Sequence, residues 1–428
     1  MSSPGLPQRD HSEPRRYPFG ANAGLDLHPL YRHLQEHEPL SLVRMPYGEA
    51  AWLITRYEDV KTVLGDPRFS RTEASRHDQP RVTADPLPLG LLDMDPPEHT
   101  RLRRLVAKAF TTGSVESLRP RTEQIAAGLI AAMIDAGPPA DLVEMFARRL
   151  PMTVICELLG MPYDDQGEFA GWVNEATSAQ VSPEERADAL ARQSAYIAGL
   201  IAQRRQQPAD DLLGRLVLAR DDDDRLSEDE LNFLSMQLLA AGFETTASQI
   251  ADFVYLLLTS PQRYAMLRDR PELIPDAVEE LLRFSPLVAS AAIVRYATHD
   301  VELSGGTVKK GQAVLTFAPA ANRDPAVFDD PEALDLTRHD VPHLSFGHGV
   351  HLCIGARLAR MELQVALSAL TTALPGLRLA VGADAVTWKP SVLVRGPAAL
   401  PVSWQPAQNQ YPASLPALVP ARRPPRSR

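Results

Sequence analysis

The chain of 428 residues has only two cysteines, no long apolar run and no excess of positive charge. Two cysteines cannot build a disulfide framework, so a disulfide-stabilised secreted protein is excluded and a reducing compartment is expected. No run of about 18 apolar residues occurs and the N-terminal region lacks an apolar signal core, which argues against a membrane span or a secretion signal. A net charge of −10 is opposite in sign to that of most nucleic-acid-binding proteins. We therefore expect a cytoplasmic protein that binds neither membranes nor nucleic acids.

The remaining composition is typical of a globular protein, with 44% hydrophobic and 23% charged residues. Lysine is scarce beside arginine, as is common in a GC-rich bacterium such as an actinomycete. No Gly/Ser linker divides the middle of the chain, so we expect one large domain. Residues 1–16 and the Pro/Arg-rich residues 405–428 cannot bury enough apolar surface to offset the entropy lost on ordering, and we expect both to be flexible.

The apolar periodicity predicts a mostly helical fold with a minor β region. The clearest helix begins at Ser227, where Glu230 completes a capping-box pattern, and runs to about Leu258. At 1.5 Å per residue its length is roughly 45 Å, enough to cross a whole domain. Short apolar runs at 51–54 and 313–317 predict strands.

The predicted long helix contains residues that fit poorly in a helix interior. Gly242 and the adjacent Thr245 and Thr246 lower helix propensity, and the acid Glu244 is a poor choice for a helix interior. Such local inconsistency often marks a functional site. The alternative is that Glu244 and Thr246 simply face solvent.

A second unusual segment, 346–355, contains three glycines and one thiol, Cys353, directly before a predicted helix. A cysteine at a helix N-terminus lies at the positive end of the dipole, so we expect its pKa to fall below roughly 8.5 and the thiolate to be available as a metal ligand. One alternative is a buried structural thiol, which is our interpretation of Cys156. Another is a zinc site made from His348, His351 and Cys353 with a fourth ligand from elsewhere.

Segment 346–355 resembles the haem-ligand loop of the cytochrome P450 family, Phe-x-x-Gly-x-His-x-Cys-x-Gly. Every fixed position of that pattern is present, at Phe346, Gly349, His351, Cys353 and Gly355. The resemblance implies that Cys353 is the axial ligand of a haem b iron, where a thiolate favours O–O cleavage. It also implies that Phe346, Gly347 and Gly355 lie against the cofactor.

The helix segment 241–246 is similar to the oxygen-binding groove of the same family, Ala/Gly-Gly-x-Asp/Glu-Thr. The resemblance implies a locally opened helix in which Thr245 donates a hydrogen bond to dioxygen and Glu244 relays protons. At Phe243 the chain departs from the histidine that many bacterial members have.

His99 and Arg103 are four residues apart on a predicted helix, so they project from one face and suit a pair of carboxylates. The resemblance implies that this pair, with Arg295 and His351, neutralises the two haem propionates. A solvated basic helix is the alternative.

Glu280 and Arg283 have the spacing of an exposed helical ion pair, which would contribute only a few tenths of a kcal/mol. The resemblance instead implies a buried structural trio completed by Arg338. Removing one partner from such a trio would strand a charge and cost several kcal/mol.

The resemblance spans about Tyr17 to Trp404, the expected catalytic domain, and leaves no room for an attached reductase. Electrons are therefore expected from a separate ferredoxin or flavodoxin. Arg101, Arg104 and Lys108 form a basic stripe on which an acidic donor could dock.

The resemblance implies a monooxygenase that hydroxylates a bulky hydrophobic molecule, with epoxidation or carbon–carbon coupling as alternatives, in natural-product biosynthesis. A macrolide, cyclic peptide, terpenoid or aromatic diketopiperazine would fit a roomy pocket with Gln237 and Ser290 as polar anchors. By family correspondence the lining residues are Gln237, Ala240, Ala241, Ser290, Ala291, Ile293 and Val392. The second hypothesis is a haem-thiolate protein that binds a ligand or recruits a partner without oxidising anything.

Overall fold

The computed structural model describes residues 13–20, 24–86, 89–177, 181–221, 226–288, 290–291, 293–389 and 394–405. The predictions made for residues 1–12, for Val392 and for residues 406–428 lie outside these ranges.

Helices account for most of the described chain, as the sequence predicts. The α-helices are α1 (Pro29–His37), α2 (Tyr57–Gly65), α3 (Glu98–Ala107), α4 (Thr112–Ala136), α5 (Arg149–Leu159), α6 (Gln166–Thr177), α7 (Pro183–Gln206), α8 (Leu212–Asp221), α9 (Glu228–Leu258), α10 (Pro261–Asp269), α11 (Ile274–Phe284), α12 (Ala318–Ala321) and α13 (Ala356–Ala373). Short 3-10 turns cover Thr72–Arg76, Gly90–Asp93, Lys108–Phe110, Tyr163–Asp165, Pro271–Leu273, Gly349–His351 and Ala383–Ala385, and a π-turn covers Val143–Ala147.

The β region is small and divided into three sheets. Its strands are β1 (Arg15–Arg16), β2 (Leu40–Arg44), β3 (Ala50–Ile54), β4 (Phe69–Ser70), β5 (Ala140–Asp141), β6 (Val294–Ala297), β7 (Val301–Leu303), β8 (Gly306–Val308), β9 (Ala313–Thr316), β10 (Arg378–Leu379) and β11 (Pro401–Ser403). The largest sheet has the order β1-β2-β3-β9-β6-β4, and the others are β10-β11-β5 and β7-β8. In the largest sheet the two predicted strands, β3 and β9, pair in parallel with Trp52 opposite Val314.

Arg15 and Arg16 correct the boundary of the predicted flexible N-terminal segment. Both residues form β1, which pairs in parallel with β2 and sets Arg15 opposite Val43. Arg15 Nη2 also donates to the two carboxylate oxygens of Glu38 at 2.7 and 2.8 Å. These backbone and side-chain bonds hold the last two residues of that segment against the sheet.

Helix α9 is the long helix that the sequence predicts. Its capping box is present: the Glu230 amide donates to Ser227 Oγ at 3.1 Å, and the Ser227 amide donates to Glu230 Oε2 at 2.8 Å. The helix is buried on most of its surface and packs against α5, α7 and α13. A helix that is apolar on most sides belongs in the interior of a large protein. In the described ranges, no helix combines the length and apolarity needed to cross a membrane.

The predicted ion-pair trio is assembled beside α11. Glu280 and Arg283 are both fully buried, with Arg283 Nε 2.7 Å from Glu280 Oε2, and Arg338 Nε lies 3.2 Å from the same oxygen. The remaining Arg283 N–H groups donate to the carbonyl oxygens of residues 322, 331 and 333 at 2.8–2.9 Å. Arg283 therefore ties α11 to the chain segment that leads into the Cys353 loop.

Gly242 has a packing role that the sequence did not reveal. A Cβ atom at this position would lie 2.9 Å from Cγ1 and 3.0 Å from Cδ1 of Ile155, so α9 and α5 approach too closely for any side chain. Ile155 is itself buried and cannot move into solvent. Close helix packing thus explains the glycine without an opened helix.

We expect Gly242→Ala to destabilise the protein even though alanine gains about 1 kcal/mol in helix propensity. Overpacking a filled core costs typically 1–3 kcal/mol, and the new methyl group would contact Ile155. Denaturant unfolding should show this loss, whereas Gly199→Ala in α7, where a Cβ meets nothing within 4 Å, should stabilise. In a protein that already carries Ile155→Ala, Gly242→Ala should lower the free energy of unfolding by a smaller amount. Equal stabilisation by both glycine substitutions would contradict the packing account.

Candidate active site

Cys353 lies in a loop whose conformation depends on glycines. The loop packs against α2 and leads into α13. The Cys353 amide donates to the Phe346 carbonyl at 2.9 Å, which closes the loop. Gly347 and Gly349 have φ of +74° and +70°, values that side chains rarely permit. A Cβ on Gly349 would lie 2.7 Å from the Leu64 carbonyl oxygen, so glycine is the only residue that fits there.

The Cys353 thiol is accessible to solvent but surrounded by protein mass. Desolvation raises its pKa, and the opposing effects of the Gly355 N–H and of the positive charges of Arg103 and Arg360 are smaller. The predicted lowering by the helix terminus is therefore wrong for this arrangement, because burial outweighs the dipole. A bound cation would reverse the balance, since a coordinating thiol loses its proton.

Two alternatives for Cys353 are not supported. It is exposed, unlike Cys156, which is buried against the sulfur atoms of two methionines as expected of a structural thiol. Across the part of the chain that the structure describes, no three His, Cys, Asp or Glu side chains are grouped so that they could hold a metal ion. His348 lies beside Gly65 of α2.

A basic cluster lies close to the loop. The rings of His99 and His351 have centroids 4.4 Å apart, and the buried Arg295 extends from β6 towards them. Burial, then the charges of Arg295, His99 and Arg71, lower the pKa of His351 to about 3. Burial and the nearby Arg71 likewise lower the pKa of Arg295 to about 10. Positive charge here is concentrated and poorly solvated.

The cluster contains polar atoms with no partner. His99 Nδ1 and both ring nitrogens of His351 are buried, and none has a hydrogen bond within the described residues. Each such atom costs about 1–3 kcal/mol, so the arrangement suits an anion that would satisfy them. The alternative of a solvated basic helix is wrong for His99, which is only 2% exposed. Arg103 instead donates to the Leu352 carbonyl at 2.5 Å, on the Cys353 side.

These residues fit a haem. Next to the thiol, a Cβ on Gly355 would meet only Cys353 Sγ, at 4.0 Å, so the space on that side is open to a flat group. Two propionates would supply the acceptors that the His99, His351 and Arg295 cluster lacks. A thiolate donor and a two-carboxylate site thus occur side by side.

The polar residues of α9 find partners without opening the helix. Thr245 Oγ1 donates to the Ala241 carbonyl at 2.8 Å, and Glu244 Oε1 accepts from Lys389 Nζ at 2.6 Å. Helix α9 runs uninterrupted from Glu228 to Leu258, so the predicted local opening is absent. Because Glu244 and Thr246 are buried, the alternative that they face solvent is also wrong.

Around Glu244 the surroundings are asymmetric. Lys389 Nζ also donates to Ser248 Oγ at 3.0 Å, while Glu244 Oε2 is buried with no partner among the described residues. Phe243, the departure noted above, is a core residue with the Arg148 guanidinium 5.7 Å from its ring centroid. Its packing towards Arg148 explains why an aromatic side chain is accommodated there.

Gln237 and Ala291, both predicted to line the pocket, make contacts that the sequence did not predict. The Leu91 amide donates to Gln237 Oε1 at 3.2 Å, and Gln237 Nε2 donates to the Leu89 carbonyl, so the amide holds a loop against α9. Ala291 packs into the aromatic core, where its amide donates to the Tyr17 hydroxyl at 2.7 Å.

The other predicted lining residues are distributed as follows. Ala241 and Ile293 are exposed, Ala240 is half-buried, and Ser290 is buried with its hydroxyl unpartnered within the described chain. Val392 lies outside the described residues.

Sequence reasoning missed Lys389 and Arg71. Lys389 stands 145 positions from Glu244, so no local spacing links the two. Its only signal is chemical: it is one of five lysines in the chain and stands between Trp388 and Pro390 in a mostly apolar stretch. Arg71 follows a short strand and carries no motif.

The chain is similar to proteins of known activity over almost its whole length. The family model described as Cytochrome P450 matches residues 183–372. The mycinamicin IV hydroxylase/epoxidase of Micromonospora griseorubida is 54% identical over 394 residues, which cover 92% of this chain and 99% of that protein. The nocardicin C N-oxygenase of Nocardia uniformis subsp. tsuyamanensis is 50% identical over 398 residues, with coverage of 92% and 99%. The crystal structure of HinD with NMFT and NO has a TM-score of 0.89 at 49% identity, covering 92% of this chain and 100% of that one.

Proposed function

The chain belongs to the cytochrome P450 family, and we propose that it oxidises a bulky, mostly apolar natural product with electrons from a separate ferredoxin or flavodoxin. It is a P450 monooxygenase, and its cofactor is haem b. When bound, the haem supplies the activation of dioxygen and the oxidation itself. The observation that carries the proposal is the exposed Cys353 in the same loop as His351, whose buried ring nitrogens have no hydrogen-bond partner among the described residues.

We assign the cofactor contacts from that geometry. Cys353 would ligate the haem iron, and the closed turn between the Cys353 amide and the Phe346 carbonyl would orient its sulfur. His99, His351 and Arg295 would receive the propionates, an assignment supported by the buried His99 Nδ1 and His351 ring nitrogens, which have no hydrogen-bond partner among the described residues. The remaining contacts are assigned to Arg103, Gly347 and Gly355.

On α9, Thr245 and Glu244 handle protons. The Thr245 hydroxyl donates its proton to the Ala241 carbonyl, so donation to a dioxygen molecule would require that bond to be released. Lys389 occupies Glu244 Oε1 and leaves Oε2 to exchange a proton with water. Lys389 is a positioning residue, because its ammonium group holds the Glu244 carboxylate in place.

The substrate class follows from the relatives and from the lining residues. The relatives are named for hydroxylation and epoxidation of mycinamicin IV and for N-oxygenation of nocardicin C. The small Ala240 and Ala241 on α9 leave room for a bulky molecule, with the exposed Ile293 as an apolar contact. Since Gln237 is engaged with a loop, Ser290 is the remaining polar anchor. Hydroxylation is the default outcome, with epoxidation or coupling as variants.

Electron donation is proposed to use the exposed basic side of α3. Arg101 forms an ion pair with Glu230 of α9, so its charge is already balanced. The proposed docking surface for the electron donor therefore consists of Arg104 and Lys108. Both are exposed, and an acidic ferredoxin or flavodoxin would be steered towards them. We place this reaction in the cytoplasm, where such donors are kept reduced. A non-oxidising role is not favoured by any observation, because Glu244, Thr245 and Cys353 are all retained.

Iron ligation is tested by absorbance of the reduced, carbonyl-bound protein. The unmodified protein should show the red-shifted band of thiolate ligation, and Cys353→His should lose it because an imidazole donates less electron density. Cys156→Ala removes the other thiol and should keep the band. An unchanged band in Cys353→Ala would refute the ligand assignment.

Proton delivery is tested by the product formed per NAD(P)H consumed. A positioned proton donor contributes typically 10²- to 10⁴-fold, about 3 to 5 kcal/mol of barrier. Thr245→Ala should therefore retain haem and substrate yet divert electrons to peroxide, and Glu244→Gln should slow turnover with a solvent isotope effect. Thr246→Ala, at the neighbouring buried hydroxyl, is the control and should leave coupling unchanged. Unchanged coupling in Thr245→Ala would contradict its role.

The donor surface is tested with Arg104→Glu. Charge reversal should weaken ferredoxin-supported turnover, and more strongly at low salt, where the Debye length is longer. Peroxide-supported turnover should be spared. Lys310→Glu makes the same charge reversal at an exposed position between β8 and β9. It should change neither ferredoxin-supported nor peroxide-supported turnover. Equal losses in both assays for Arg104→Glu would mean that Arg104 acts elsewhere.

A further inference from the structure

Glu279, His343 and Arg360 form a hydrogen-bonded cluster beside the Cys353 loop, and none of the roles above uses them. Arg360 grips the Glu279 carboxylate with two bonds, from Nε to Oε1 at 2.7 Å and from Nη2 to Oε2 at 2.8 Å. His343 Nε2 lies 3.1 Å from Oε2 of the same carboxylate. The three residues come from α11, from the segment before the loop and from α13.

The proton positions in this cluster follow from the donors. The Ser345 amide can only donate, and it donates to His343 Nδ1 at 3.2 Å. Nε2 therefore carries the proton of a neutral ring and donates it to Glu279. Burial alone would raise the pKa of Glu279, but the bonds from His343 and Arg360 outweigh it and lower this pKa to about 2. The cluster is thus one anion and one cation, locked in a single geometry.

The cluster contacts the Cys353 loop through Phe346. The Arg360 guanidinium lies 4.5 Å from the Phe346 ring centroid, and the His343 ring centroid lies 5.9 Å from it. The carbonyl of this same Phe346 accepts the Cys353 amide hydrogen. The positive charge of Arg360 is also the smallest of the effects that oppose the raised pKa of the Cys353 thiol. Arg360 therefore contacts the Cys353 loop through the Phe346 ring and brings a positive charge to its vicinity.

We propose that Arg360, held in place by Glu279 and His343, is a positioning residue that sets the reduction potential of the thiolate-ligated haem. Taking up one electron from the donor protein adds a negative charge to the metal centre. A fixed cation near the sulfur stabilises that reduced state, and charge and hydrogen bonding around a ligating thiolate are known levers on potential. This inference rests on the proposed function, specifically on ligation by Cys353.

The experiment is a spectroelectrochemical titration of the haem-loaded protein at low ionic strength. Arg360→Gln removes the cation and should shift the potential downwards. Arg360→Lys, which keeps the charge but loses the two-bond grip and the flat contact with Phe346, should recover part of that shift. Glu279→Gln, a nearly isosteric change that removes the anion, should shift the potential upwards.

The matched controls are Lys309→Gln and Asp300→Asn. They make the same charge changes in an exposed ion pair of 3.0 Å next to strands β7 and β8. Neither should move the potential. An Arg360→Gln potential equal to that of the unmodified protein, or equal shifts in the controls, would overturn the proposal. If Arg360→Gln does not fold, Glu279→Gln decides, and the absence of an upward shift overturns it.

The carbonyl band separates this inference from the function on which it rests. A thiolate band that is present in all variants, with a potential that does not move, overturns the inference alone. A band that is missing in the unmodified protein overturns ligation by Cys353, and with it the inference.

Discussion

Arg283 carries a positive charge into a place that water does not reach, and much of the fold is arranged to satisfy it. Its partner Glu280 is equally buried, and three backbone carbonyls from residues 322–333 accept its other hydrogens. A buried guanidinium without these acceptors would cost several kcal/mol, so the segment that supplies them cannot drift. Asn322 of that segment bonds to Leu344 and Ser345, directly before the loop that contains Cys353. The position of the sulfur thus depends on a charge that itself takes no part in the reaction.

The opposite situation holds near His99 and His351. There His99 Nδ1 and both ring nitrogens of His351 have no partner among the described residues, and burial together with the nearby positive charges lowers the pKa of His351 to about 3. A bound anion would remove this cost. Binding of an anionic cofactor should therefore add to the stability of the folded chain as well as create the active site. Buried polar groups need hydrogen-bond partners. The protein itself supplies them for Arg283, whereas we expect a ligand to supply them for His351.

Sequence patterns predicted those features that depend on residues close together in the chain. The capping box at Ser227, the glycine-framed Cys353 and the Glu280–Arg283 spacing each depend on residues within one helical turn or one loop, so they are readable without the fold. Contacts that cross the chain were not readable. Lys389 reaches Glu244, and the Gln237 amide is occupied by a loop, because of tertiary packing that no spacing encodes. The pKa of Cys353 was predicted in the wrong direction for the same reason, since desolvation is set by the surrounding mass and not by the adjacent helix.

The bond between Tyr17 and Ala291 joins positions 274 residues apart. Tyr17, Phe19 and Tyr31 belong to one hydrophobic cluster of the folded protein, and all three are synthesised long before the strand that follows Ala291. The cluster that Ala291 joins can therefore be completed only when the chain is about two-thirds synthesised and closes back on its beginning. Formation of this part of the core thus has to wait for residues that are distant in sequence.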